Sequence, residues 1–144
     1  MGDERRVPAA VLAVAAIALA GCGSSSSGPA PLAARLVTAG GQHRVVLSRE
    51  SAARIGLRTA PAKRAAGRGR LVAIPYSALI YTAGGKTFTY VQTAPLTFMH
   101  VPVHVADLTS RQALLSTGPA PGAIVVTVGG EELHGTETGI QEPE

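Results

Sequence analysis

Three groups of residues have the types and spacing for chemistry. Gly84-Gly85-Lys86-Thr87 looks like the end of a phosphate-binding loop; Met99, His100 and His104, in "MHVPVH", offer soft-metal donors; and Cys22 is the single thiol of the 144-residue chain. A phosphate loop needs G-x-x-x-x-G-K-[ST] between a strand and a helix, so that successive backbone N–H groups converge on the phosphates. The position that should hold its first glycine is Ile80, and Thr87, Phe88, Thr89, Tyr90 and Val91 alternate as a strand does. The stretch therefore reads as a hairpin, with Ala78 to Tyr81 as one strand, Ala83-Gly84-Gly85 as the turn and Lys86 to Val91 as the return. On a strand, residues four apart are separated by ~13 Å at ~3.3 Å per residue, too far to share an ion held ~2.1 Å from each nitrogen. Pro102, between the two histidines, opposes the helix that would bring them together. His100 and His104 are thus expected to share a strand face without sharing a metal. Met99, His100 and His104 stay weak metal candidates, in need of completion by His43 or His134.

The thiol has a different context. Arg5 and Arg6 precede an apolar run from Val7 to Ala20 that ends in Leu19-Ala20-Gly21-Cys22, the charged, apolar and small-residue regions of a secretory leader. The run is shorter than the ~20 residues of a membrane-crossing helix. Leu-Ala-Gly-Cys resembles the bacterial lipobox, whose cysteine is diacylated and becomes the first residue of the mature protein. Lipidation, palmitate being a typical acyl chain, accounts for a cysteine without a disulfide partner. Two or more acyl chains, at about 0.8 kcal/mol per buried CH₂, anchor a small domain stably. The reading is a signal peptide over residues 1–21, then a lipidated Cys22 opening a disordered linker over 22–41. "GSSSSGPAPLAA" is the Ser/Gly/Pro/Ala part of that linker.

Residues 42–138 must supply the elements that position everything else, with 139–144 left as an acidic tail. Arg44 to Leu47 reads as a strand, Ser48 as the N-cap of a helix from Arg49 to about Ile55, and Gly56 as its stop. Leu57 to Ala60 resumes as a strand up to Pro61, "AKRAAGRGR" is a basic connector, and Leu71 to Pro75 leads into the hairpin. "FMHVPVHVADL" alternates as a strand that Pro102 confines to an edge or a bulge. "RQALLSTG" and "AIVVTVGG" are further strands about the turn Pro119-Ala120-Pro121-Gly122. All five aromatic residues lie between Tyr76 and Phe98, so the core is expected around the hairpin. The fold class is mainly β, a β-rich α+β domain of small antiparallel sheets with one short helix.

The net charge of +4 and pI near 9.8 raise the question of nucleic acid. The basic residues concentrate between Arg35 and Arg70 with no aromatic residue among them to stack on bases, so no nucleic-acid partner is expected. They form a solvated face suited to anionic headgroups, where each cation adds ~1 kcal/mol. Enzyme chemistry finds little support. Asp107 is the only aspartate after the leader, Glu131, Glu132, Glu137, Glu142 and Glu144 crowd the C-terminal end, and no G-x-S-x-G elbow is present. No catalytic residue and no cofactor is assigned.

"VVLSRESAARIGLRTAPA" resembles the opening motif of periplasmic adaptor subunits of resistance-nodulation-division efflux pumps, the membrane fusion protein or heavy-metal efflux adaptor family. "AIPYSALIY…GKTFTYVQ" is similar to the family's later hairpin, and "GPAPGAIVVTVGGEELHG" to its closing motif. The resemblance spans roughly residues 44 to 136, with the motifs in the family's order. Full adaptors carry a lipoyl-like β-sandwich and a long helical hairpin where this chain has only "AKRAAGRGR". The resemblance thus implies an adaptor truncated to its membrane-proximal domain: a noncatalytic lipoprotein on the extracytoplasmic face of a membrane in the cell envelope. Its partners would be the membrane, through the lipid, and a transporter subunit whose export it assists; homo-oligomers are compatible with this. The residues alone leave two other readings open, an extracytoplasmic metal-binding lipoprotein and a structural envelope lipoprotein. If the domain is whole, one of the two opening strands, Arg44 to Leu47 or Leu57 to Ala60, must pair with the C-terminal part, closing the connector between neighbouring points.

Overall fold

The structure, a computed structural model, describes residues 34–139. The expected leader over residues 1–21, Cys22, the expected linker up to residue 33 and the tail from residue 140 lie outside the described residues. In chain order come β1 (Ala34–Ala39), β2 (Gln42–Leu47), α1 (Arg49–Arg54), β3 (Arg58–Pro61), β4 (Lys63–Arg64) and β5 (Val72–Pro75). A 3₁₀ turn over Tyr76–Ala78 leads to β6 (Ile80–Tyr81), β7 (Thr87–Ala94), β8 (Thr97–Pro102) and β9 (His104–Leu108). The chain closes with β10 (Gln112–Thr117), β11 (Ile124–Val128) and α2 (Gly130–Thr138).

Among the described residues the strands make two antiparallel sheets. The larger runs β1-β2-β8-β7-β11-β3 with β6 also on β7, and the smaller runs β4-β5-β10-β9. Strand β7 is the hub. One of its edges holds β8 from Phe88↔Pro102 to Ala94↔Thr97, while the other is shared by β6, at Ile80↔Phe88, and β11, at Val125↔Val91. Alternation then sends Phe88 and Tyr90 to one face and Thr89 and Val91 to the other. The first face packs with Val45, Leu47, Ile80, Phe98, Val126 and Leu133 of α2. The second meets the small sheet through Ile74, Ala113, Leu115 and Val125. Burial on both faces explains why β7 carries three successive buried residues, Phe88, Thr89 and Tyr90. Full burial of a large apolar side chain of this kind contributes roughly 1.5–3 kcal/mol.

Several expected elements are present, with ends shifted by up to three residues. Ser48 caps α1 through an Oγ that accepts from the backbone N–H of Ser51 at 3.0 Å, and the hairpin of β6 and β7 is present with Phe88 opposite Ile80. Both opening strands pair with the later part: β2 lies against β8 at Val45↔Phe98, and β3 against β11 from Ile124↔Pro61 to Val128↔Arg58. The connector closes as a hairpin, β4 on β5, with the N–H of Ala65 donating to the carbonyl of Leu71 at 2.9 Å.

Other expectations need correction. The linker assigned to residues 22–41 gives way at Ala34 to β1, which pairs with β2 along its whole length. The Gly40-Gly41 link between them, at φ 60° and 76°, suits a two-residue hairpin turn. Being an outer strand with no buried residue, β1 has no apolar alternation to announce it. A second helix, α2, follows the last strand. Ala78 belongs to the 3₁₀ turn rather than to the hairpin strand. Finally, "FMHVPVHVADL" is two strands, not one: β8 stays in the large sheet and β9 enters the small one, so His100 and His104 share no face. The break falls at Val103, whose N–H donates to the carbonyl of Thr87 at 3.0 Å.

Candidate functional site

A groove of about 280 Å³ lies beside the hairpin, bordered by the Thr82–Lys86 turn, the start of β7, the end of β8 and the last turns of α2. Each element reaches it for a local reason. Gly85, at φ 75°, bends the turn, the N–H of Thr82 donates to the carbonyl of Lys86 at 2.9 Å, and Lys86 is left exposed at the start of the return strand. Phe88 lies on the face of β7 that looks toward α2, and across the strand pair Tyr90 stands opposite His100 of β8. On α2, Leu133 and Glu137 are one turn apart on the same side. Leu133, wholly buried, seats the helix on the sheet and brings Glu137 down with it.

The polar centre of the groove is Glu137. Its side chain is only 11% exposed, yet both oxygens are satisfied. Tyr90 donates its hydroxyl to Oε2 at 2.5 Å, and His100 donates from Nδ1 to Oε1 at 2.6 Å. Burial, and then the Glu137 acceptor and its charge, push the Tyr90 hydroxyl well above its ordinary pKa, so Tyr90 is a donor throughout the physiological range. With the carboxylate holding Nδ1–H, the neutral form of His100 carries its lone pair on Nε2. The Phe88 ring neighbours two imidazoles, with centroids 5.6 Å from His100 and 5.1 Å from His134. Nδ1 of His134 is buried and has no hydrogen-bond partner among the described residues.

Of the residues singled out from sequence, Cys22 lies outside the described residues. Met99 and His100 border, with His43, a second cleft of about 190 Å³, while His104 is carried away on β9. Nδ1 of His43 shares a 3.2 Å hydrogen bond with Oγ1 of Thr38. Among the described residues no group of three or more His, Cys, Asp or Glu side chains is gathered closely enough to hold a metal ion. Sequence reasoning missed the roles of Tyr90 and Glu137. The available signal was "GGEELHGTETG", in which glycines bracket a stretch with Leu133 and Glu137 at helical spacing. Its charge made it read as part of an acidic terminus instead.

No protein-family model, curated protein or solved structure matches this chain.

Proposed function

We propose that the protein is a noncatalytic lipoprotein, anchored through Cys22 on the extracytoplasmic face of a membrane, that binds a membrane transporter and assists export. In this reading it is a periplasmic efflux adaptor shortened to its membrane-proximal part. The observation that supports it is the way the two halves of the domain join. Strands β2 and β3, from before the connector, pair with β8 and β11, from after it, and residues 63–71 close as a small hairpin where full adaptors carry their long modules.

The test is in-cell crosslinking followed by purification of the lipidated protein from solubilised membranes. A polytopic transporter is expected to co-purify in stoichiometric amount. Recovery of the lipoprotein alone overturns the transporter reading. The Cys22→Ser form is expected in the soluble extracytoplasmic fraction, and its full retention on membranes overturns the lipid anchor.

One observation favours a second reading, that of a metal-binding lipoprotein. His43, Met99 and His100 border one cleft, and the Nδ1 atoms of both histidines are turned to oxygens. Orientation by an outer oxygen is the usual arrangement of ligating imidazoles. Titration of the Cys22→Ser chain with silver(I), a redox-inert soft ion, is expected to give one stoichiometric site lost in Met99→Ala if this reading holds.

A further inference from the structure

We propose that the groove between the Thr82–Lys86 turn and α2 is a binding site for a single-ring aromatic carboxylate. Its volume of about 280 Å³ is at the lower limit of small-molecule pockets, which suits one ring rather than several. Phe88 and Pro102 supply apolar wall, and the edge-on and tilted imidazoles around Phe88 make an aromatic surround for a flat ring.

The charge of the ligand follows from which polar groups are already committed. Four ionisable side chains line the groove: Lys86, His100, His134 and Glu137. Glu137 spends both oxygens on Tyr90 and His100, and Nδ1 of His100 is thereby tied as well. Two of the three lining threonine hydroxyls are also engaged. Thr82 Oγ1 accepts from the N–H of Lys86 at 3.1 Å and donates to its carbonyl, while Thr138 Oγ1 donates to the carbonyl of His134 at 2.8 Å. Among the described residues, Lys86 takes part in none of the ion pairs. Unmet capacity therefore remains on the buried Nδ1 of His134, one further hydrogen bond for a ligand inside the groove, and on the Lys86 ammonium; an apolar slot lined by an ammonium free of ion pairs selects an amphipathic anion. The lysine of the motif that resembled a phosphate loop is, in this arrangement, an anion-binding residue of a different kind. The site needs no transporter and stands apart from the adaptor reading.

The test is a ¹⁵N–¹H NMR titration of the Cys22→Ser chain with benzoate, with benzyl alcohol as the uncharged analogue and inorganic phosphate as the anion without a ring. Benzoate is expected to give saturable shifts at Thr87, Phe88 and His134. Lys86→Ala is expected to weaken benzoate at least fivefold and to leave benzyl alcohol within twofold, while Lys86→Arg restores most of the benzoate affinity. Because Lys86 is exposed and holds the turn only through its backbone, the variants retain the wild-type spectrum elsewhere. Absence of saturable shifts, shifts mapping to another face, an equal loss for benzoate and benzyl alcohol, or phosphate binding as tight as benzoate would each overturn the proposal.

Discussion

Tyr90 keeps its proton because ionisation would place a second negative charge, out of water, beside Glu137. Removing its hydroxyl leaves one oxygen of a nearly buried carboxylate without a donor. Tyr90→Phe is expected to destabilise the domain by about 1.5–3 kcal/mol at pH 7, read from the urea midpoint at unchanged slope. The pH dependence has a definite sign. An unfolded tyrosine loses its proton near pH 10, whereas folded Tyr90 holds it to higher pH, so the unfolded state binds fewer protons there. The contribution of this group is complete below about pH 10 and declines as pH rises beyond it. The gap between wild type and Tyr90→Phe should accordingly narrow above pH 10. A gap that stays constant to pH 11 would show that the raised pKa does not contribute to stability.

At the scale of elements, the two glycines of the turn are not equivalent. Gly85 has φ 75°, where a β-branched side chain is strained, while Gly84 lies outside that region and a Cβ there would meet only Thr82 Oγ1, at 3.9 Å. Gly85→Val is expected to cost at least ~1 kcal/mol and Gly84→Val much less, by thermal or urea unfolding. Equal losses would show that the turn has a different geometry. Helix α1 is short and depends on its cap. Ser48→Ala removes the acceptor for the N–H of Ser51 and is expected to cost about 0.5–2 kcal/mol, whereas Ser48→Asp should retain most of the stability. Strands β8 and β9 show a limit of pattern reading. Alternation continues in phase from Met99 to Val105, but Pro102 lacks the N–H a continuing ladder would use, and the chain turns out of one sheet into the other there.

For the whole molecule, the decisive contacts are those between the early and late strands. Arg58 and Val128, each exposed, are register partners at the end of the β3–β11 pair. Cysteines at these two positions in a Cys22→Ser background are expected to bridge under mild oxidation, since paired strands bring Cα atoms within the ~7 Å a disulfide requires. The product is detected as a mobility shift reversed by reductant. Failure of the bridge in a folded double variant would remove the pairing on which the closed connector, and with it the adaptor reading, depends.

The sequence by itself determined the local elements: the capped helix at Ser48, the hairpin about Gly85, the strands on either side of Pro119 to Gly122, and a mainly β fold. Each of these is governed by residues within a few positions of one another, through capping, turn conformation and alternation. Tertiary structure alone decided what depends on partners distant in the chain. Strand β1 exists because β2 offers it an edge, and α2 docks because Leu133 packs into the apolar cluster on the sheet face. His100 and Tyr90 meet Glu137 across 37 and 47 residues of chain. No local pattern records such a meeting, since a glutamate on a polar helix has the same sequence signature whether it faces water or a buried tyrosine. The carboxylate is held there because burial leaves it only two donors within reach, and those donors are fixed by the register of β7 on β8 rather than by anything near Glu137 in the sequence.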